Sequence, residues 1–271
     1  MRWVPPGPAF LFCPADRPER FEKAARSADV VILDLEDAVA PDRRTTARAA
    51  LRSADLDSDT TIVRLNPSGT DDHQRDVDAL RDTNIRMVML AKASSANDVS
   101  ALAPFEVLGL CETPRGVHAA YEIAACANSI ALMWGSEDLV AALGGYASRA
   151  AEGSLRDLAR YARAKILVDA GANGLGALDT TFLDFGNLEG LRRDAEDAAA
   201  LGFMATACIH PSQVAVVRDA YRPSDDQVIR AKRVVEAAAT YDGVFRLDDV
   251  MVDGPMIAQA RQILRRAGEG M

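Results

Sequence analysis

The sequence predicts an α/β fold of the (β/α)₈, or TIM barrel, type with a C-terminal helical extension. The first observation is a series of eight short apolar runs, each ended by a polar or charged residue and followed by a helical pattern. The second is that these runs are almost continuously apolar, which is typical of parallel strands covered by helices on both faces. Eight such units in about 210 residues fit a closed barrel.

The predicted strands alternate with helices along the whole first part of the chain. The seventh strand has the weakest pattern, because Gly171, Gly174 and Gly176 crowd its start. The eight strands are predicted at residues 9–13, 30–35, 61–65, 87–91, 107–111, 130–134, 176–178 and 204–209.

Signals for helix starts lie between these strands. Proline suits the first helical turn, where its missing N–H costs nothing. Ser154 with Asp157 predicts a capping-box start for a helix that runs to residue 170. Three further helices are predicted to open at prolines, at Pro18 for residues 19–28, Pro41 for 42–51 and Pro114 for 115–127.

The pattern after Pro211 differs from that of the barrel. Residues 225–241 predict a long amphipathic helix, residues 242–252 a hairpin-like segment, and residues 255–267 a last helix. Because the barrel is complete without this tail, we expect two domains. They are the barrel over residues 1–221 and an extension over 222–271 that packs on a neighbouring subunit.

Composition excludes several classes of protein. The 271 residues are 49% hydrophobic and 26% charged, and no run approaches the roughly 18 to 20 apolar residues of a membrane helix. With no signal-peptide pattern either, we expect a cytoplasmic protein without a membrane partner. The formal net charge of −9 would repel a polyanion, so we expect no nucleic-acid partner.

Charged residues follow almost every predicted strand. The carboxyl ends of barrel strands meet at one mouth, where the chemistry of such folds collects. Burying an unpaired charge costs several kcal/mol, so these groups must pair with one another or with a cation. They are Asp16, Arg17, Glu36, Asp37, Arg64, Lys92, Glu112, Glu137, Asp138, Asp179 and His210, with Asn66 beside them.

The surplus of carboxylates at this mouth predicts a hard cation. The chain has only three histidines and no Cys-x-x-Cys pair, which argues against zinc. Mg²⁺ binds one or two protein carboxylates and fills its other positions with water and substrate oxygens. Glu112 and Asp138, from adjacent strands, are the candidate ligands. The alternative is that each carboxylate caps a helix.

Basic residues at the mouth are candidates for substrate binding. Arg64 would grip a substrate carboxylate bidentately, and an ion pair with Glu36 or Asp37 would hold it in place. Lys92 would form a Schiff base in a metal-free aldolase, but the nearby carboxylates should keep its amine protonated and a poor nucleophile.

Two more sets of residues have open alternatives. Arg17 and Arg20, with two further arginines after the second strand, either bind phosphates or form a solvated face. His210 either takes part in catalysis or hydrogen-bonds the loop after the eighth strand.

The motifs at these positions resemble the citrate lyase β-subunit group of the HpcH/HpaI aldolase superfamily. They occur in the family order from end to end of the chain, and LDLEDAV together with IHPxQ is specific. The motifs are FLFCPADRPERF (10–21), LDLEDAV (33–39), VRLN (63–66), ETPRG (112–116), GSEDL (135–139), DTTF (179–182), CIHPSQ (208–213) and MVDGP (251–255).

This resemblance implies a Mg²⁺-dependent barrel enzyme, a homotrimer or a dimer of trimers, that makes or breaks a carbon–carbon bond next to a thioester. Glu112 and Asp138 look like the metal ligands, and Arg64 resembles the arginine on the substrate's carboxylate or thioester carbonyl. The remaining matches are Glu36 and Asp37, which look like the pair supporting the site, and Asp253, which is similar to an aspartate that reaches into a neighbouring subunit's site.

The activity expected from the resemblance is cleavage of a malyl-CoA or citramalyl-CoA type thioester. The products would be acetyl-CoA and a small 2-oxo acid such as oxaloacetate, glyoxylate or pyruvate. A malate synthase-like condensation or thioester hydrolysis would be an additional activity. Two alternatives are a CoA-independent aldolase that releases pyruvate, and a non-catalytic oxo-acid-binding subunit of a citrate lyase-like complex.

Overall fold

The eight predicted strands form a closed parallel barrel in the computed structural model, which describes residues 3–240 and 243–269. Each strand pairs with the next, and β1 pairs with β8 to close the ring. The strands are β1 (Ala9–Pro14), β2 (Val30–Asp34), β3 (Thr61–Leu65), β4 (Met87–Leu90), β5 (Glu106–Cys111), β6 (Ser129–Trp134), β7 (Gly176–Asp179) and β8 (Ala205–Cys208).

Side chains from all eight strands fill the barrel interior as one apolar cluster, which includes Phe10, Ile32, Met89 and Leu110. Packing explains why a glycine, Gly176, begins the seventh strand, whose sequence pattern is the weakest. A Cβ on Gly176 would lie 2.3 Å from the sulfur of Met204. The missing side chain on β7 therefore makes room for the methionine that precedes β8.

Helices follow the strands, and their starts differ in detail from the predictions. Pro18 and Pro41 open short 3₁₀ turns, Pro18–Arg20 and Pro41–Arg43, and the α-helices begin just after them. The helices are α1 (Phe21–Ser27), α2 (Arg44–Ser53), α3 (Asp71–Leu80), α4 (Ala96–Ser100), α5 (Pro114–His118), α6 (Ala120–Ala124), α7 (Ser136–Ala142), α8 (Asp157–Ala172), α9 (Leu188–Leu201) and α10 (Pro211–Tyr221).

Two predictions about helices were wrong. The helix expected over residues 115–127 divides into α5 and α6, because Ala119 leaves the helical region of backbone space with ψ at 10°. The capping box at Ser154 does not form. That hydroxyl donates a hydrogen bond to Glu152 instead, and α8 begins at Asp157 without a side-chain cap.

The last part of the chain forms a second compact unit, which runs from Arg218, whereas the first unit ends at Val217. It consists of α11 (Asp225–Ala238), an antiparallel pair β9 (Phe245–Leu247) and β10 (Val250–Val252), and α12 (Gly254–Arg266). Its own apolar core includes Val234, Phe245 and Leu264. The predicted end of the long helix at Tyr241 and the start of the hairpin at Asp242 lie outside the described residues.

No helix among the described residues is long and apolar enough to cross a membrane.

A buried ion-pair network joins α2 to α3 beside the barrel. Arg48 donates hydrogen bonds to Asp76 over 2.7 Å and to Asp72 over 2.6 Å, and its side chain is buried. Asp76 is fully buried and also accepts hydrogen bonds from the backbone and side-chain amides of Asn66, the residue after β3. Burial raises the pKa of Asp76, although its hydrogen bonds to Asn66 and Arg48 oppose the shift. The pair therefore anchors the β3 loop to two helices.

We expect Arg48→Met to lower the free energy of unfolding by about 3 kcal/mol, because it leaves the buried Asp76 without its cationic partner. Urea denaturation followed by circular dichroism measures the change. Arg52→Met, an exposed position on the same helix, should change the free energy by less than about 0.5 kcal/mol. Equal stabilities of the two variants would contradict this account of the network.

Candidate active site at the barrel mouth

Acidic residues from three barrel loops surround the ammonium group of Lys92. This residue is the second after the end of β4, and its Nζ donates a hydrogen bond to Glu36 in the loop after β2. The same Nζ lies 3.3 Å from Oδ1 of Asp138 on α7 and 3.9 Å from Oδ2 of Asp37. The backbone N–H of Lys92 donates a 3.1 Å hydrogen bond to Glu112, the residue after β5. Four predicted site carboxylates are thus brought around one lysine.

The charge of Lys92 is set by these neighbours. Partial burial alone would lower the pKa of the ammonium group, but the hydrogen bond to Glu36 and the negative charges of Glu36, Glu112 and Asp138 outweigh burial and raise the pKa. Lys92 therefore stays protonated, which makes it a poor nucleophile. The direction of this shift agrees with the expectation from the sequence, and the ion pairs of Lys92 argue against a Schiff-base role.

Arg64 on β3 is held by a bidentate ion pair with Asp34, the last residue of β2. Its Nε and Nη2 donate hydrogen bonds of 2.7 and 2.6 Å to the two carboxylate oxygens. The guanidinium lies 4.9 Å from the centre of the Phe12 ring, and Nη1 lies 3.1 Å from Oε2 of Glu36. Burial would lower the pKa of Arg64, but the paired Asp34 outweighs burial and raises the pKa, so the guanidinium remains charged.

The prediction that Asp37 pairs with Arg64 was wrong, whereas the predicted contact of Arg64 with Glu36 is present. Asp37 lies in the loop beyond β2, with its side chain 62% exposed, and its ion-pair contact is with Lys92. Asp34 is paired in register with Arg64 across the two parallel strands, so both side chains leave the sheet on the same side. Sequence reasoning missed Asp34 because it lies inside an apolar strand. An acidic residue inside such a run was the signal that could have found it.

Asp34 also shapes the loop that carries Glu36. Its two oxygens accept hydrogen bonds of 2.9 Å from the backbone N–H groups of Glu36 and Ala38. With Arg64, the buried carboxylate therefore accepts four hydrogen bonds. Such a residue fixes both the guanidinium and the loop backbone next to it.

Glu112 is a buried carboxylate without an ion-pair partner within 4.0 Å among the described residues. Burial and then the negative charge of Asp138 raise its pKa to about 8, with partial compensation from Lys92 and Arg64. Gly135 leaves room for this side chain, because a Cβ there would lie 2.7 Å from Oε2 of Glu112. The negative charge of the Glu112 carboxylate is therefore not balanced by an ion pair with a neighbouring cationic side chain in the described part of the chain.

The alternative in which Glu112 and Asp138 cap helices was wrong. Thr113, not Glu112, caps α5 by accepting a hydrogen bond from the N–H of Gly116. Gly135 is the N-cap residue of α7, and no side-chain cap is formed there. The carboxylate oxygens of Glu112 and Asp138 therefore do not cap the N-termini of α5 and α7.

Oxygen ligands in this arrangement fit magnesium better than zinc. No group of three or more His, Cys, Asp or Glu suited to a metal is found in residues 3–240 and 243–269. Mg²⁺ does not require such a group, since it commonly keeps several waters and takes one or two protein carboxylates. A divalent ion at Glu112 and Asp138 would supply the positive charge that burial of Glu112 demands.

The two arginines predicted to bind substrate phosphates, Arg17 and Arg20, follow β1 at the same end of the barrel. Both are exposed. The Nε of Arg17 lies 3.8 Å from Asp16, which also faces Arg43 over 3.4 Å. The structure does not bring Arg17 or Arg20 into the ion pairs around Lys92. They form a separate basic rim on the β1 side.

His210 takes part in loop contacts after β8. Its Nδ1 is 2.8 Å from the hydroxyl of Ser212, and its ring stacks on Phe185 with 5.3 Å between centroids. These contacts agree with the non-catalytic alternative.

Asp253, which from the resemblance is expected to reach into a neighbouring subunit's site, lies in the second compact unit. Its carboxylate is the N-cap of α12 and accepts a 3.2 Å hydrogen bond from the N–H of Met256. Its role in chemistry remains a prediction.

Comparison with known proteins identifies the family of this chain. The family profile described as HpcH/HpaI aldolase/citrate lyase matches residues 9–211, and one described as a C–C bond lyase of the TIM-barrel fold matches residues 155–269. A citrate lyase subunit beta-like protein of Mycobacterium tuberculosis is 53% identical over 97% of this chain and 96% of its own. The L-malyl-CoA/beta-methylmalyl-CoA lyase of Cereibacter sphaeroides is 33% identical over 98% of each chain.

A solved structure is also similar over nearly its full length. The crystal structure of the protein CitE from M. tuberculosis, in complex with magnesium, acetoacetate and coenzyme A, superposes with a TM-score of 0.94. The alignment has 53% identity and covers 97% of this chain and 98% of that one. The fold, the order of the motifs and these matches together show that the chain belongs to the HpcH/HpaI aldolase/citrate lyase family, and with it to the carbon–carbon lyases.

Proposed function

We propose that this chain is a Mg²⁺-dependent lyase that cleaves a β-hydroxyacyl-CoA of the malyl-CoA or citramalyl-CoA type. The products are acetyl-CoA and a 2-oxo acid, which is glyoxylate from malyl-CoA and pyruvate from citramalyl-CoA. The observation that carries the proposal is the buried, unpaired carboxylate of Glu112 beside Asp138, opposite a fixed Arg64. Two carboxylates of this kind suit one divalent cation, and the guanidinium suits an anionic substrate.

The relatives support the choice of substrate class. The mycobacterial structure holds magnesium, coenzyme A and a small oxo acid together, and the Cereibacter enzyme is named for malyl-CoA cleavage. A 2-oxo acid released by such a cleavage carries a carboxylate and a neighbouring carbonyl, which suit chelation by a hard cation.

Cleavage requires that a base removes the hydroxyl proton while the electrons of the broken carbon–carbon bond collect on the thioester as an enolate. Glu112 and Asp138 would hold Mg²⁺, which when bound lowers the pKa of a coordinated hydroxyl and neutralises the oxo acid. Arg64, fixed by Asp34, would donate to the enolate oxygen. A preorganised donor of this kind is worth about 3 to 4 kcal/mol of transition-state stabilisation.

The remaining residues have supporting roles in this proposal. Glu36 orients Arg64 and Lys92 through its two oxygens, and Asp37 lies beside the same lysine. Arg17 and Arg20 bind phosphates of the CoA moiety. Asp253, contributed by another copy in a trimer, is the acid/base that takes the hydroxyl proton and then returns it to the acetyl-CoA enolate carbon.

Product analysis tests the function. Purified protein with Mg²⁺ is incubated with malyl-CoA, with citramalyl-CoA and with a free 4-hydroxy-2-oxo acid, and products are separated by chromatography. We expect acetyl-CoA and an equal amount of 2-oxo acid from a CoA ester, and no turnover after EDTA treatment. Free CoA in place of acetyl-CoA would reveal thioester hydrolysis.

Consumption of only the free acid would contradict this proposal and favour the CoA-independent aldolase. An oxo acid bound without any turnover would favour the non-catalytic subunit.

We expect Glu112→Gln and Asp138→Asn each to weaken Mg²⁺ binding at least tenfold and to lower kcat/KM at least 100-fold, because each removes an anionic ligand. Isothermal titration calorimetry and the acetyl-CoA assay measure the two effects. Asp42→Asn, an exposed carboxylate after β2, is the matched control and should leave both unchanged. An unchanged Mg²⁺ affinity in both ligand variants would disprove the metal assignment.

We expect Arg64→Lys to lower kcat/KM about 100-fold, because a lysine keeps the charge but loses the bidentate contact with Asp34. Steady-state kinetics with the best CoA ester measures the loss. Arg26→Lys changes an exposed i,i+4 pair with Glu22 and should have no effect. Full activity of Arg64→Lys would show that charge alone suffices and that the fixed geometry of Arg64 is irrelevant.

A further inference from the structure

Lys92 contacts both candidate metal ligands, each with a different part of the residue. Its backbone N–H holds Glu112 over 3.1 Å, and its ammonium group faces Asp138 over 3.3 Å. A single residue thus links two carboxylates that would otherwise repel each other.

The backbone of Lys92 is strained, which gives this placement a cost. Its φ of 53° is in the left-handed region, which residues other than glycine rarely occupy. Neighbouring hydrogen bonds fix the turn. The carbonyl of Lys92 accepts from the Ser94 hydroxyl over 2.7 Å, and the N–H of Ala93 donates to Leu110 over 3.0 Å. Glycine would adopt this backbone conformation without strain, so the backbone alone does not account for a lysine at this position.

If another cation binds Asp138, the ammonium group of Lys92 can keep its contacts with Glu36 and Asp37. Its hydrogen bond with Glu36 does not involve Asp138, and the largely exposed Asp37 lies 3.9 Å away on the same side. The lysine stem is long and its side chain is 30% exposed, so a small rotation would move the charge outward.

The charge balance around the site favours such an exchange. Five carboxylates, those of Asp34, Glu36, Asp37, Glu112 and Asp138, face two cations, Arg64 and Lys92. A divalent cation beside Glu112 would reduce the excess negative charge, but it would also repel the ammonium group of Lys92 at close range.

We propose that Lys92 is a resident counter-ion that holds Glu112 and Asp138 in place while no metal is bound and gives up Asp138 when Mg²⁺ enters. This inference rests on the proposed function, because it assumes that these two carboxylates are the ligands. Its consequence is that Lys92 lowers the affinity for Mg²⁺ and keeps the metal exchangeable.

Calorimetric titration of the full chain with Mg²⁺ alone, at pH 9 and without substrate, tests the proposal. At this pH the Glu112 carboxyl, with a pKa of about 8, is ionised. We expect Lys92→Met to bind Mg²⁺ at least tenfold more tightly than the wild type. Lys92→Arg, which retains the charge, should stay within about threefold of the wild type. Lys23→Met, an exposed lysine on α1, is the matched control and should be unchanged.

Equal or weaker Mg²⁺ binding by Lys92→Met would overturn the proposal, since it would make Lys92 a purely structural tether. If this variant does not fold, as judged by circular dichroism, Lys92→Gln replaces it. Glutamine keeps a hydrogen-bond donor for Glu36 without a charge, and the same tightening is expected.

The wild-type titration separates this inference from the proposed function. A wild type that binds no Mg²⁺ beside a Lys92→Met that binds it would support the counter-ion role. Absence of binding in both would overturn the inference together with the metal assignment.

Discussion

The pair formed by Asp34 and Arg64 is the interaction on which the mouth of this barrel depends. Both residues are buried, and they leave neighbouring strands at the same register level. Because Asp34 also accepts two backbone N–H groups, one carboxylate fixes a guanidinium and the start of the β2 loop. A buried charge of either sign would be costly alone, and the pair removes that cost while leaving Nη1 of Arg64 directed toward Glu36.

Some buried carboxylates at this end of the barrel form ion pairs, and Glu112 forms none with the part of the chain that the structure describes. Asp179 illustrates the paired case, since it is the buried last residue of β7 and accepts hydrogen bonds from Arg163 and from the indole N–H of Trp134. Glu112 illustrates the other case, since its hydrogen-bond donor is a backbone N–H. Asp179 is thus neutralised by a cationic side chain, whereas Glu112 has no ion-pair partner within 4.0 Å among the described residues.

Much of the fold followed from the sequence because eight apolar runs and proline-marked helix starts are local signals. The residues at strand ends were also predicted, since parallel strands must present their carboxyl ends together. Partners were harder to predict. Glu36 or Asp37 was expected to pair with Arg64, and Asp34 was missed because register across two strands cannot be deduced from spacing along one strand. The capping box at Ser154 failed for a different, local reason, since Glu152 competes for the hydroxyl.

The position of Glu112 in the chain restricts the movement of its backbone. It stands between the end of β5 at Cys111 and Thr113, which caps α5, so strand, carboxylate and helix start are consecutive residues. A shift of its backbone would also require a shift of β5 or of the start of α5. Movement of the Glu112 carboxylate is therefore confined to rotation about its own side-chain bonds, because the strand before it and the helix after it fix the place of its Cα.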